Sequence, residues 1–495
     1  MSEQSLENRT GAKLVIMENG SISVFRLDGC TEWTVGRADG NTRAPGMVAL
    51  HSPIVSRLHG QIRKSGDFWY YIDNPANTNG TLYNGTRLSS GNGRPGSARL
   101  FEGDLLRIDK QTGNQSNPNA VLMLFTSAPV ENQWERFPIQ GKQTVTIGRS
   151  PRCDIVQSVP YLSAKHAQIT TRDGGYYLSD CGSKAGTYLN RRRVTAPVRL
   201  RDKDCFRLAD RSFFLLGDTI ISIACRPGAR EHVGSRPVVL RANVVSKKVK
   251  DRSGTGMREL IRDVRLEIRQ GTLVAMLGTA GAGKTTVMNC LNGMDLQGVQ
   301  GSVIYRNVDL LQDFDQMKSL IGSVPQQKVF HKTFTPEQEF RFAARKRLPG
   351  DTTKEEIQMR VDKTLEMLSI QGVRNSPNGK LSGGEQTRVN VGIELVADRD
   401  LLCLDEPDQG LSPNYKHELF EILQRLAHEN GKTMLTIIHD VSEIDMFDQV
   451  IMLAKKDGVG RLAFSGTPQE ARQFFGVDIR DAYALLDKHP ERYIR

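Results

Sequence analysis

Cysteine, aromatic side chains and long apolar runs are all scarce in this chain of 495 residues. The seven cysteines (Cys30, Cys153, Cys181, Cys205, Cys225, Cys290 and Cys403) are odd in number, scattered and without C-x-x-C spacing. They supply neither a disulfide framework nor a zinc ligand set. The longest apolar stretch, Phe213–Cys225, is broken by Asp218 and falls far short of the roughly 20 residues of a spanning helix. The N-terminus, MSEQSLENRTGAK, has no cationic start followed by an apolar segment, so it does not read as a secretory leader. The expectation is a water-soluble cytoplasmic chain, and any path across a bilayer would be supplied by another polypeptide. Aromatics make up 6% of the residues. None interleave with the basic groups Arg191, Arg192, Arg193, Arg199 and Arg201, or Arg226, Arg230, Lys247, Lys248 and Lys250, so base stacking is not indicated. The formal charge of +11, from 67 basic and 56 acidic residues, reads as solvated basic surface suited to acidic phosphopeptides or anionic heads, with no nucleic-acid partner.

What remains is ordinary globular composition, 38% hydrophobic and 25% charged, in a chain long enough for two to four domains. The first part repeats itself. WTVGRADG (33–40), SRLHGQI (56–62) and NTNGTLYNG (77–85) return as VTIGRSPRCDI (145–155), SAKHAQI (163–169) and GSKAGTYLN (182–190). Gly36 and Gly148 lie 112 residues apart, His59 and His166 107 apart, the near-constant offset of a duplicated domain. Short aromatic-rich segments such as DFWYYID (67–73) and GYYLSD (175–180), separated by Gly, Asn and Pro turns, predict an all-β sandwich for each copy. RPGAREHVGSRP (226–237) is polar and aperiodic, a linker. From Val238 onward, buried strands TLVAMLG (272–278), LLCLDEP (401–407) and MLTIIHD (434–440) alternate with helical patterns such as KEEIQMRVDKTLEMLSI (354–370). This predicts an α/β domain with a largely parallel sheet. The expected division is a tail at 1–12, sandwiches at 13–127 and 128–225, a linker at 226–237 and the α/β domain at 238–495.

GTAGAGKTT (278–286) has the spacing of a phosphate-binding loop. Gly278, Gly281 and Gly283 let backbone N–H groups face phosphates, and the helix that follows, with Thr286, adds its positive end. Lys284 would reach the β- and γ-phosphates and the Thr285 hydroxyl would ligate Mg²⁺. In LLCLDEP, Asp405 ends a strand where it can join the Mg²⁺ shell, and Glu406 beside it can polarise an attacking water.

LSGGEQTR (381–388) is the discriminating element, and with it the second half resembles the ATP-binding-cassette (ABC) family over roughly residues 238–480, with details similar to its subfamily G, the white-type exporters. The resemblance implies ATP and Mg²⁺ as ligands. It assigns Ser382, Gly383 and Gly384 to the γ-phosphate held by a second copy, Gln326 to the nucleotide-sensing loop and the Mg²⁺ shell, and His439 to a switch near the γ-phosphate, beside catalytic Glu406 and Lys284. Two departures stand out. Where the family has Thr-Ser-Gly-Leu-Asp after DEP, this chain has Asp408-Gln409-Gly410-Leu411-Ser412, and VVSKKVKD (244–251) lacks the aromatic that usually stacks on adenine.

The duplicated sandwiches resemble forkhead-associated (FHA) domains, which read phosphothreonine. In the first, the resemblance gives phosphate contacts to Arg37 and Ser56, added charge to Arg57, a bracing role to His59 and peptide-backbone contact to Asn79. An arginine fork and a hydroxyl suit a dianionic phosphate. The second keeps Arg149, Ser163 and His166 and has Lys165, but Ala164 and Ala185 replace an arginine and the peptide-contacting asparagine. The implied function is the ATPase subunit of an ABC transporter, homodimeric, peripheral on the cytoplasmic face of the membrane. It would work with a separate permease and be tuned by a phosphothreonine protein or Ser/Thr kinase. The alternative is a non-transport ABC ATPase or phospho-dependent scaffold.

Overall fold

The computed structural model describes residues 12–494 apart from 39–45, 66–67, 78, 89–95, 101–102, 110–116, 118, 127–133, 191, 224–235, 251–255 and 307. Residues 1–11 of the expected tail and 226–235 of the expected linker lie outside the described residues, as does Arg191. The chain forms two compact units, Met1–Gln157 with Lys165–Pro227, and Ser158–Ala164 with Gly228–Arg495. The short segment 158–164 thus groups with the second unit, which chain order did not suggest.

In the first unit, each predicted sandwich is present. The first pairs a five-stranded sheet (ordered 47–50, 32–37, 60–65, 68–73, 97–100) with a six-stranded one (21–26, 13–18, 121–126, 105–108, 81–83, 86–87). Between them lies a core of Leu14, Ile16, Val35, Ile62, Tyr71, Leu106, Val121, Met123 and Phe125. The second repeats the plan with sheets 155–156, 144–148, 167–172, 175–180, 198–200 and 134–138, 219–223, 211–216, 205–208, 187–189, 192–193. The apolar run from Phe213 becomes a hairpin, Arg211–Leu216 and Thr219–Ile223, turning at Gly217 with φ +56°.

Strands Lys13–Glu18 and Val121–Thr126 are buried at every position, because both faces are covered. Leu14 and Ile16 enter the first sandwich core, while Val15 and Met17, with Leu122 and Leu124, meet Phe214, Leu216 and Ile221 of the second sandwich. Arg107 donates to the Lys203 carbonyl at 3.3 Å beside this seam. The two sandwiches therefore share an apolar interface.

The second unit is built on a ten-stranded sheet. Five strands are parallel, in the order 321–324, 401–405, 433–437, 273–278, 449–456. The other half, 459–466, 257–269, 238–250, 299–305 and 308–309, is joined mainly by antiparallel pairs. The expected largely parallel sheet is thus half antiparallel. Along 240–246 and 264–269 of the long 238–250/257–269 ribbon, buried positions alternate with exposed or half-buried ones, so it reads as one-sided and does not need a helix on each face. Around the sheet run helices α1 (Lys284–Leu291), α2 (Leu310–Met317), α3 (Pro336–Arg347), α4 (Lys354–Met367), α5 (Gly383–Leu395), α6 (Pro413–His428), α7 (Pro468–Phe475) and α8 (Ile479–Lys488), α2 lying against strands 299–305 and 308–309. Helices α3, α4, α5 and α7 each start with a reciprocal Ser/Thr and Glu/Gln capping box, which satisfies N–H groups left over in the first turn. All five parallel strands point their C-terminal ends one way, and ligands of such sheets lie beyond those ends.

Candidate nucleotide and phosphopeptide sites

At the end of strand 273–278 the chain turns through Gly281 (φ +73°) and Gly283 (φ +85°) into α1. A Cβ on Gly278 would lie 2.6 Å from the Leu453 carbonyl oxygen, and one on Gly283 would lie 2.8 Å from Ile261 Cγ2, so the loop admits no larger residue at either place. Lys284 folds back to donate to the Gly278 carbonyl at 3.0 Å. Burial pulls its ammonium below the ordinary lysine value, against the opposing pull of Glu406 and Asp405. Thr286 stands beside Thr285 in the first turn of α1.

The C-terminal end of strand 401–405 delivers both carboxylates. The Thr285 hydroxyl donates to Asp405 Oδ2 at 3.3 Å. Burial and then the adjacent Glu406 charge push the Asp405 carboxyl above its ordinary range. Two crowded carboxylates next to a hydroxyl form an oxygen set suited to a hard cation, so Thr285, Asp405 and the Gln326 amide oxygen fit the implied Mg²⁺. Glu406 has a left-handed φ of +48°, which turns its side chain out of the strand direction. His439 Nε2 lies 2.6 Å from Glu406 Oε1, and Gln326 Nε2 donates to Oε2 at 2.9 Å. Lys284, Thr285, Gln326, Asp405, Glu406 and His439 are thus brought to one place from four loops.

Ser382 is the N-cap of α5. Its backbone N–H and its hydroxyl both donate to Glu385 Oε2 at 2.8 Å, so the first turn carrying Gly383 and Gly384 is rigid. Lys328 donates to the Gly383 carbonyl at 2.9 Å. That lysine belongs to no sequence motif, and neither does Lys416, whose Nζ lies 2.6 Å from Asp440 and 3.7 Å from the buried Asp408. No spacing rule points to either, since both belong to helices or loops whose partners are distant in sequence. Ser412 caps α6 without a side-chain hydrogen bond to it. In segment 244–251, Val244 is buried, Val245 is exposed, and Lys247 is fully buried, donating to Asp295 Oδ1 and the Gln297 carbonyl at 2.6 Å.

In the first sandwich, loop 51–59 is pinned from several sides. A Cβ on Gly36 would fall 1.9 Å from the Arg57 carbonyl oxygen, which explains glycine before Arg37. The Arg37 guanidinium donates to the Pro53 carbonyl at 3.1 Å, and Asn79 Nδ2 donates to that of Ile54 at 2.6 Å. The Ser56 N–H donates to His59 Nδ1 at 3.2 Å. Burial lowers the His59 pKa, with Asp73 and the Gly80 backbone opposing, which keeps Nδ1 an acceptor. Arg37, Ser56, Arg57 and Asn79 therefore sit on one loop cluster. Asn74 and Asn77, unnoticed in the sequence, brace it through the Leu58 and His59 carbonyls at 2.7 and 2.9 Å. In the second sandwich His166 Nε2 is 3.1 Å from the Gly186 carbonyl oxygen. Arg149 follows strand 144–148, Ser163 is buried and Lys165 is exposed. Ala185, also buried, presents no amide where Asn79 stands in the first.

Residues 261–409 match the family model described as ABC transporter, and residues 33–109 and 145–209 match that of the FHA domain. This chain carries an ABC ATPase domain behind two FHA domains. The ABC transporter ATP-binding/permease protein Rv1747 of Mycobacterium tuberculosis is 31% identical over 70% of this chain. ABC transporter G family member 28 of Arabidopsis thaliana is 35% identical over 44%, and protein white of Drosophila melanogaster 33% identical over 44%. The chain spans 38%, 20% and 32% of these relatives' own lengths. The white-type character expected from the cassette's signature is borne out, and the cassette is an ATP-hydrolysing domain.

Proposed function

We propose that this chain drives an ABC transporter with ATP and that its engagement is tuned by phosphothreonine recognition through the first FHA domain. The convergence of Lys284, Thr285, Asp405, Glu406, Gln326 and His439 carries the reading. Lys284 and the N–H groups around Gly281 and Gly283 hold the β- and γ-phosphates. Thr285, Asp405 and Gln326 would hold Mg²⁺, which would supply positive charge against the phosphate oxygens. Glu406, oriented by His439, accepts a proton from the attacking water, and His439 lies next to the γ-phosphate. Ser382, Gly383 and Gly384 close on the nucleotide of a second copy, so binding of ATP dimerises the cassettes and hydrolysis releases them.

A membrane permease is the partner. No helix among the described residues is long and apolar enough to cross a membrane. Beyond Gln326, Val329 and Phe342 expose 62% and 42% of their surface, with His331 stacked on Phe334 at 4.4 Å, an apolar face for a membrane partner at the cytoplasmic surface. The ATP-binding and permease functions joined in the name of the mycobacterial relative favour this over a non-transport ATPase or scaffold. They also raise a second arrangement, in which the permease shares a polypeptide with the motor. Phosphothreonine on the permease, on a kinase or on this chain would engage Arg37, Ser56, Arg57 and Asn79, with Arg149, Ser163 and Lys165 a weaker second set.

Glu406→Gln should trap an ATP-bound dimer by light scattering. Detergent extracts of membranes, with and without phosphatase, should yield a permease whose recovery falls after dephosphorylation. A monomer at high ATP and Mg²⁺, or recovery of soluble phosphoproteins alone, would overturn the motor or the transport assignment respectively.

A further inference from the structure

One residue in the ATPase site, Gln409, departs from the family pattern and stands where the ABC resemblance puts a serine. After Glu406 the chain makes a tight turn in which the Gln409 N–H donates to the Glu406 carbonyl at 3.2 Å. The turn returns the Gln409 side chain to the carboxylate that precedes it. Its Nε2 approaches Glu406 Oε2 at 3.4 Å, and its Oε1 accepts from Gln326 Nε2 at 3.2 Å. Gln326 itself donates to the same Glu406 oxygen at 2.9 Å. The three side chains form a closed triangle spanning 83 residues of sequence, with His439 on the other carboxylate oxygen.

We propose that Gln409 is a positioning residue for ATP hydrolysis: its amide keeps Glu406 aimed while Gln326 is drawn away to the metal. Gln326 has two claims on it, the Glu406 carboxylate through its N–H and the cation shell through its carbonyl oxygen, and both ends swing together on one amide plane. When its carbonyl oxygen turns to the cation, the Glu406 Oε2 contact it provides weakens. Gln409 has no such second duty and stays as the remaining amide donor on that oxygen. A serine hydroxyl, one bond from Cβ, is too short to reach Glu406 and Gln326 together. An amide donor alone is neutral, so it orients the carboxylate without adding charge beside Asp405. Gln409 is exposed, so its replacement leaves packing intact.

The inference rests on Glu406 as the base, and its test separates the two. Steady-state ATPase assays of the full-length chain should give Gln409→Ala and Gln409→Ser a kcat lowered about 5- to 10-fold, the loss of roughly one ordinary hydrogen bond, in keeping with its 3.4 Å length, with KM for ATP within about twofold. Gln409→Glu, which keeps the shape and removes the donor, should be at least as slow, whereas Gln409→Asn should recover part of the rate. In single-turnover assays on a Glu406→Gln background, Gln409→Ala should cause no further loss, since residues acting as one unit are not additive. Unchanged kcat in Gln409→Ala, a rise in KM alone, or full additivity with Glu406→Gln would overturn the inference. Wild-type turnover by Glu406→Gln itself would instead remove the base assignment.

Discussion

Lys284 and Asp405 are held close to charges and oxygens they would exchange for phosphate and cation, and that makes single substitutions here sharply readable. Lys284→Ala should leave the fold unaltered and weaken ATP binding by about 100-fold or more, the loss of a charge-assisted contact in a partly buried site, measured by titration calorimetry. Asp398, away from the site, gives a pH test. Burial alone would raise its carboxyl, yet Lys432 Nζ at 2.8 Å and Arg360 hold it below the ordinary value. A depressed carboxyl contributes stability that is present above its unfolded pKa and is lost as pH falls through the lower folded one. Asp398→Asn, which tolerates the left-handed φ of +59° there, should therefore cost about 2 kcal/mol at pH 7. The difference from wild type should fade below about pH 4 in denaturant titrations. A pH-independent difference would mean that the ion pair is not the cause.

Elements, more than residues, decide how much could be read in advance. The phosphate loop was legible because glycine spacing, a buried strand before it and a helix after it are local, and the duplicated sandwiches were legible because their turn motifs recur. The Gln409 contact was not, since the chain departs from the family pattern at that position and the contact also needs Gln326 from the loop after strand 321–324. The half-antiparallel sheet was missed for a related reason: apolar strands next to helices read the same whichever way they pair. Gly36, inside strand 32–37, shows how tightly such a local signal is bound to its element. Gly36→Ala would force the Arg57 carbonyl away. It should destabilise the first sandwich by about 2 kcal/mol, as overpacking does, and abolish binding of a phosphothreonine peptide. Arg37→Ala should abolish the binding while leaving the melting temperature of the sandwich unchanged. If both variants bind peptide with wild-type affinity, the loop cluster does not read phosphate.

At the scale of the whole molecule, the chain combines two FHA domains and an ABC ATPase domain in one polypeptide, and the proposed reading and motor activities should be separable by mutation. Lys284→Ala should leave phosphothreonine peptide affinity unchanged, and Arg37→Ala should leave basal ATP turnover unchanged, both measured on the full-length protein. The seam between the two sandwiches sets a limit on how finely the reader can be divided. Strands LVIM (14–17), VLMLF (121–125) and FFLL (213–216) are apolar without alternation, the sequence mark of strands covered on both sides. Severing the chain between the two copies would bare a greasy flank on each fragment, so neither half should behave as a well-mannered soluble reader, and a protease that cuts there should leave the fragments clinging together until detergent parts them.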